Sequence, residues 1–299
     1  ADAFNRGVDE VDWVEALSMM VDDILREENQ DFLKHGSTGR LTHTLDLAEA
    51  CWCTGQVAEG LGRGDIADTM SELAENWRNA YDPGTGILRS SEYYEGGAWN
   101  YSFRLLHDMK SRIGLVGREQ FVTQLDKFFG YGEPSVKQPR DPHDGEYIQR
   151  GLKLNRFEGF NNESDMETPF AYIYAGRHDR TAEVVRSSMK SSFSTGRGGL
   201  PGNNDSGGLT STFIWNAIGL FPVVGQREIL VGSPAFDSVV LKTDDWKFAI
   251  IAKNNSEQNV YVGGAELNGK RLNRPFIPLE DFRDGGELRL EMQAEPMKW

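Results

Sequence analysis

A chain of 299 residues, 38% hydrophobic and 11% aromatic, is long enough to bury one large core or two ordinary ones. Its 32 Lys and Arg stand against 46 Asp and Glu, and a formal charge of −14 repels phosphate backbones and anionic bilayers, which excludes nucleic acid as an expected partner. No stretch approaches the run of about 18 apolar residues that a spanning helix needs, so no membrane insertion is expected, and the opening ADAFNRGVDEVDW lacks the basic and apolar regions of a secretion signal.

From about residue 10 to 222 the chain reads mostly as helices cut by Gly, Pro and Asn clusters. VDWVEALSMMVDDILREE places Val14, Leu17, Val21 and Leu25 at helical spacing, and THTLDLAEACWCTGQVAEGLG continues with Leu45, Ala48, Trp52 and Val57. Thr42 is the expected N-cap of that second helix, and Gly60 with Gly62 its expected stop. DIADTMSELAENWRNAY then runs into the turn Asp82-Pro83-Gly84. Further helices are expected over 98–114, 117–130, 165–175, 179–193 and 207–220. After Gly225 the texture changes to short β-branched and aromatic runs separated by SP, DD, NN, GG and NG, the pattern of antiparallel strands and tight turns. The expected division is therefore a helical region over 1–225 and a β region over 226–299.

Cys51 and Cys53 lie two apart in an expected helix, where side chains point to nearly opposite sides, so both read as buried small hydrophobes. His43 and His107 each have a carboxylate nearby, but no HExxH or comparable spacing exists, and neither is expected to bind zinc. G-x-S-x-G, P-loop and G-x-G-x-x-G motifs are all missing, which removes acyl transfer, ATP and dinucleotide chemistry. N-x-S sequons begin at Asn100, Asn162, Asn204 and Asn254. The first three fall inside the motifs described next, so a host that leaves them unmodified is expected.

Three polar clusters stand out. YYEGGAWNY (93–101) sets Glu95 among aromatics ahead of a helix, the setting of a sugar-stacking site with a protonated carboxyl, or simply of a helix start in a core. FEGFNNESDMETP (157–169) crowds hard oxygen ligands ahead of an aromatic helix, where the same acids would also satisfy a helix dipole. GLPGNNDSGGL (199–209) surrounds Asp205 with turn residues. Asp205 or Ser206 would cap the next helix, but a plain cap leaves Gly202, Asn203, Asn204, Gly207 and Gly208 unexplained.

Taken in order, these segments with YDPGTG and VGSPAFDSVVL resemble the catalytic core of glycoside hydrolase family 92, the calcium-dependent exo-acting α-mannosidases, from about residue 35 to the end. The resemblance implies a mainly α fold, part of an (α/α)6 barrel followed by a small antiparallel β region. It also implies a partner N-terminal β-sandwich that this chain lacks. It further implies inverting removal of terminal α-linked mannose, with α-1,2 linkages expected, from mannan or N-glycan-type oligosaccharides by a secreted or periplasmic enzyme. Glu95 matches the family's acid and Asp205 its base, while Asn203 stands where many relatives carry a second acid, leaving it to orient the water or bind the metal. Trp99, Asn161, Asn162, Glu163 and Asn204 are the implied sugar shell, and Asn162, Glu163 and Asp205 the implied Ca2+ ligands, Glu163 being second candidate for the acid. A calcium-free (α/α)6 glycosidase and a non-catalytic sugar-binding chain are the competing readings.

Overall fold

A computed structural model describes residues 1–89, 96–131, 157, 159–160 and 162–299. Glu95 and Asn161 lie outside the described residues. The chain divides into two compact units, the first of residues 1–102, 106–116 and 224–226, the second of 103–105, 117–223 and 227–299.

The first unit is helical: α1 (Asp2–Asn5), α2 (Trp13–Ile24), α3 (Gln30–His35), α4 (Leu41–Gly60), α5 (Gly64–Ala74), α6 (Ala98–Ser102) and α7 (Met109–Gly114). Asp12 starts α2 by accepting from the Val14 and Glu15 amides at 3.1 and 3.0 Å. Leu17, Val57 and Ala58 form a buried cluster against Phe4, Trp13 and Ile66. Gly55 lets α4 approach α5, where a Cβ would already touch that of Met70 at 3.5 Å. Thr42 is not the cap of α4: the helix begins two residues earlier than such a cap would set it, at Leu41 behind Arg40, and Thr42 is a buried residue of its first turn.

The helix expected over 98–114 is two short ones. Asp108 breaks it by accepting the Ser111 amide at 3.0 Å, an N-cap bond that starts α7 afresh. Arg112 of α7 is fully buried, its guanidinium 4.0 Å over the Tyr81 ring and donating to the Gly86 and Ser102 carbonyls at 2.6 and 2.8 Å. The Asp82-Pro83-Gly84 turn forms as expected, Asp82 Oδ1 accepting the Gly84 and Thr85 amides. His107 stacks on Trp52 with centroids 4.9 Å apart, its Nδ1 3.5 Å from Glu49, and His43 is exposed. Cys51 is buried and Cys53 half-buried; both are free thiols whose burial pushes their pKa up to about 12.

Among its described residues the second unit holds α8 (Arg118–Phe128), α9 (Ala171–Tyr174), α10 (His178–Ser192), α11 (Gly208–Ile218), eight short strands and α12 (Leu279–Arg283). The change from helix to strand falls between Ile218 and Leu220. One sheet joins β1 (Leu220–Pro222), β2 (Glu228–Val231) and β7 (Phe276–Pro278), all antiparallel. The other is ordered β3 (Ser238–Lys242), β4 (Lys247–Lys253), β8 (Gly286–Gln293), β5 (Tyr261–Leu267), β6 (Lys270–Arg271). Its pairs are antiparallel except β4 with β8, which run parallel because the chain between them makes the long crossover such a pair needs. The NG dipeptide turns β5 into β6, with Asn268 and Gly269 both left-handed at φ 51° and 76°. Phe248, Ile250, Leu288, Leu290 and Val262 fill the core beneath this sheet, while Phe103, Phe121, Phe128, Phe129, Phe157 and Phe160 pack as an aromatic cluster among the helices.

Glu183 of α10 ties helices to sheet. Its carboxylate accepts from Tyr131 at 2.5 Å, from Tyr261 of β5 at 2.6 Å and from Arg180 at 3.0 Å. Arg180 in turn lies 3.6 Å over the Tyr131 ring and 3.4 Å from Asp126, which takes the Tyr172 hydroxyl at 2.7 Å.

Candidate active site

The 157–169 segment is shaped by its backbone. Gly159 sits at φ 101°, and a Cβ there would fall 2.6 Å from Ser192 Oγ. Asn162 is extended and its side chain accepts the Glu163 amide at 2.8 Å, opening a 3₁₀ turn over Glu163–Asp165; a second follows at Thr168–Phe170 with Pro169 in its first turn.

The three described acids of the segment, Glu163, Asp165 and Glu167, part company. Glu167 accepts the Leu105 amide at 3.0 Å and faces Arg104 at 3.8 Å, a structural anchorage. Asp165 is 1% exposed. Glu163 carries two buried carboxylate oxygens that accept no hydrogen bond among the described residues, and the Ser164 hydroxyl beside it is equally unpartnered there. A buried carboxylate without a partner is costly, and its pair of hard oxygens is the donor type calcium takes.

In the 199–209 segment, Gly199 is obligatory: its amide and carbonyl close bonds with Gly196 and Ser194 at 3.1 and 2.9 Å, and a Cβ would fall 2.2 Å from the Ser194 carbonyl oxygen. Asp205–Gly207 form a 3₁₀ turn in which Ser206 (φ 50°) and Gly207 (φ 83°) are both left-handed. Neither Asp205 nor Ser206 caps α11; the Asn204 side chain does, its Oδ1 accepting from the Thr210 amide at 2.9 Å and the Thr210 hydroxyl at 3.0 Å. Asp205 is exposed at the helix N-terminus, its side chain free of any hydrogen bond or ion pair among the described residues, and Asn203 beside it is likewise exposed.

The two segments meet at Gly208, the first residue of α11. A Cβ on Gly208 would fall 2.9 Å from Met166 Cε and 4.0 Å from Glu163 Cγ. The structure thus brings Glu163, the chain neighbour of Asn162, to the helix whose preceding turn carries Asn203, Asn204 and Asp205. Trp99 belongs to α6 of the first unit, beside Asn100, whose Oδ1 accepts the Gly97 amide at 2.9 Å. Among the described residues no group of three or more His, Cys, Asp or Glu converges as a metal cage. Thr210 and Met166 escaped sequence reasoning. A threonine six residues beyond Asn204 has no local pattern, and Met166 gains its place only from the packing against Gly208.

The model of the glycosyl hydrolase family 92 catalytic domain matches residues 1–294. The chain belongs to glycoside hydrolase family 92. It is similar, at 27% identity over 91% of its length, to an uncharacterized secreted glycosidase of Arthroderma benhamiae, of which it spans 38%. Among solved structures, a family 92 α-mannosidase of Bacteroides thetaiotaomicron in complex with mannoimidazole superposes with a TM-score of 0.85 at 20% identity, covering 99% of this chain and 43% of that one. An inverting family 92 mannosidase of the same organism superposes at 0.83 with 26% identity, covering 99% and 45%. The fold of this family 92 chain is accordingly mainly α, part of an (α/α)6 barrel followed by a small β region. No helix among the described residues is long and apolar enough to cross a membrane.

Proposed function

We propose that this family 92 chain carries the base and sugar-binding portion of an exo-acting α-mannosidase that releases terminal α-linked mannose, α-1,2-linked by preference, with inversion. The observation that supports it best is Asp205, a carboxylate relieved of capping, exposed on a glycine-framed turn whose helix packs against the unpartnered Glu163. Asp205 takes a proton from water as the water oxygen bonds to the anomeric carbon; Glu95 gives a proton to the glycosidic oxygen as its bond to that carbon breaks. Inverting enzymes hold two such carboxyls about 6.5 to 9.5 Å apart, leaving room for the water. Asn203, exposed next to Asp205, orients that water.

Glu163 and Asn162, with Asp205 at the adjoining turn, would hold calcium; the orphaned Glu163 oxygens fit a hard cation that completes its shell with sugar hydroxyls and water. When bound, calcium supplies a template for the sugar's 2- and 3-hydroxyls. Trp99 and Asn161 make up the rest of the proposed shell. The secreted curated relative supports an extracellular or periplasmic site of action.

The test is product release from α-1,2- and α-1,3-mannobiose, with and without chelator, reading the anomer first formed. β-Mannose released faster from the α-1,2 substrate and stopped by chelation is expected, with recovery on adding calcium. Chelator-insensitive turnover returns the calcium-free glycosidase, and mannose binding without turnover returns a sugar-binding chain.

A further inference from the structure

Asn204 Oδ1 accepts from both the amide and the hydroxyl of Thr210, at 2.9 and 3.0 Å, and so closes a loop over the residues between them. Inside that loop lie Asp205, the left-handed Ser206 (φ 50°) and Gly207 (φ 83°), whose amide returns to the Asn204 carbonyl at 2.6 Å. A non-glycine residue in the left-handed region is strained, so this turn persists only where its surroundings hold it. The visible restraints are the bonds of Asn204: backbone carbonyl to Gly207 and side chain to Thr210.

An aspartate at the mouth of a helix ordinarily turns inward and caps it. In this turn the acceptor role is filled by a neutral amide, and the neighbouring carboxylate stays in solvent with no partner. We infer that Asn204 is a positioning residue for Asp205, acting through Thr210 rather than by touching the sugar. It replaces Asp205 as the cap of α11, locks the Ser206–Gly207 turn and leaves Asp205 the one charged group on the loop. The inference rests on the reading of Asp205 as the base and reassigns Asn204 within that site.

The test compares kcat and KM on a terminal α-mannoside for wild type, Asn204→Ala, Asn204→Asp, Thr210→Val and Asp205→Asn, with hydrogen exchange at the Thr210 amide as a readout that needs no substrate. Asn204→Ala is expected to lower kcat by about 10- to 100-fold, the scale of a misplaced catalytic group, with KM within about twofold. Asn204→Asp, which restores the acceptor, recovers most of that loss. Thr210→Val shows part of it, and the Asn204→Ala/Thr210→Val pair is no worse than Asn204→Ala alone. Protection of the Thr210 amide persists in Asp205→Asn and disappears in Asn204→Ala.

A raised KM with unchanged kcat in Asn204→Ala would place Asn204 on the sugar and overturn the inference. A lowered Tm with unchanged kcat and KM would reduce it to a plain helix cap. If Asn204→Ala fails to fold, wild-type kinetics in Thr210→Val overturn the inference instead. Near-wild-type turnover in Asp205→Asn ends the base assignment itself, whatever Asn204 does; an inactive Asp205→Asn beside a fully active Asn204→Ala ends the positioning role alone.

Discussion

Asp205 is free for chemistry because its neighbours do the structural work. Asn204 satisfies the orphan amide at the start of α11, Gly207 takes the left-handed bend without strain, and Gly199 accepts a backbone approach that no side chain would survive. The same division holds in the NNESDMETP stretch, where Glu167 anchors the Leu105 amide and leaves Glu163 unpartnered. Counting carboxylates along the sequence could not make these distinctions, since all the acids look alike until their partners are known. At Glu95 the proposed role as acid makes a sharp demand. Only a poor leaving group needs its proton, so Glu95→Gln should cost orders of magnitude in kcat/KM on mannobiose and little on an activated aryl mannoside. Equal losses on both substrates would remove the acid role.

At the scale of elements, the Glu183 cluster is the clearest junction within the second unit, binding α10 to β5 and to the segment after α8. Burial pushes the Glu183 pKa up, but the hydrogen bonds of Tyr131, Tyr261 and Arg180 outweigh it, and the net shift is downward from 4.5. A depressed folded pKa contributes stability that is present above about pH 4.5, the unfolded value, and is lost as pH falls through the lower folded value. Glu183→Gln should therefore lower unfolding stability at neutral pH by about 1 to 3 kcal/mol, as expected for hydrogen bonds to a charged group, and flatten the acid end of the stability profile. Denaturant titrations across pH 3 to 7 measure both, and an unaltered acid limb would show that Glu183 is not the titrating group. Tyrosines at 131 and 261 and an acid at 183 carry no common local signal; only folding brings both hydroxyls within 3 Å of the Glu183 carboxylate oxygens.

At the scale of the whole molecule, both thiols are inert by burial, with pKa values of about 12. Thiol labelling at pH 8 is expected to be negligible in the folded chain and to follow unfolding, so that labelling and the loss of helical signal share one midpoint. Fast labelling of the native chain would place Cys53 in an open environment. The sequence by itself determined most of the longer helices, the presence of strands after Gly225, the Asn268–Gly269 turn and the family, because these depend on local periodicity, turn residues and long motifs, whereas β1 at Leu220–Pro222 fell inside a stretch expected to be helical. It left the cap of α11 open and misplaced that of α4. It ran one helix through the Asp108 break and missed the parallel pairing of β4 with β8. Those outcomes depend on which donor meets which acceptor in space. Tertiary structure alone decided that Asn204 caps while Asp205 stays without a partner among the described residues, and that the Glu163 carboxylate oxygens are buried and unpartnered beside Gly208, because packing and hydrogen-bond competition choose among side chains that local sequence leaves equivalent.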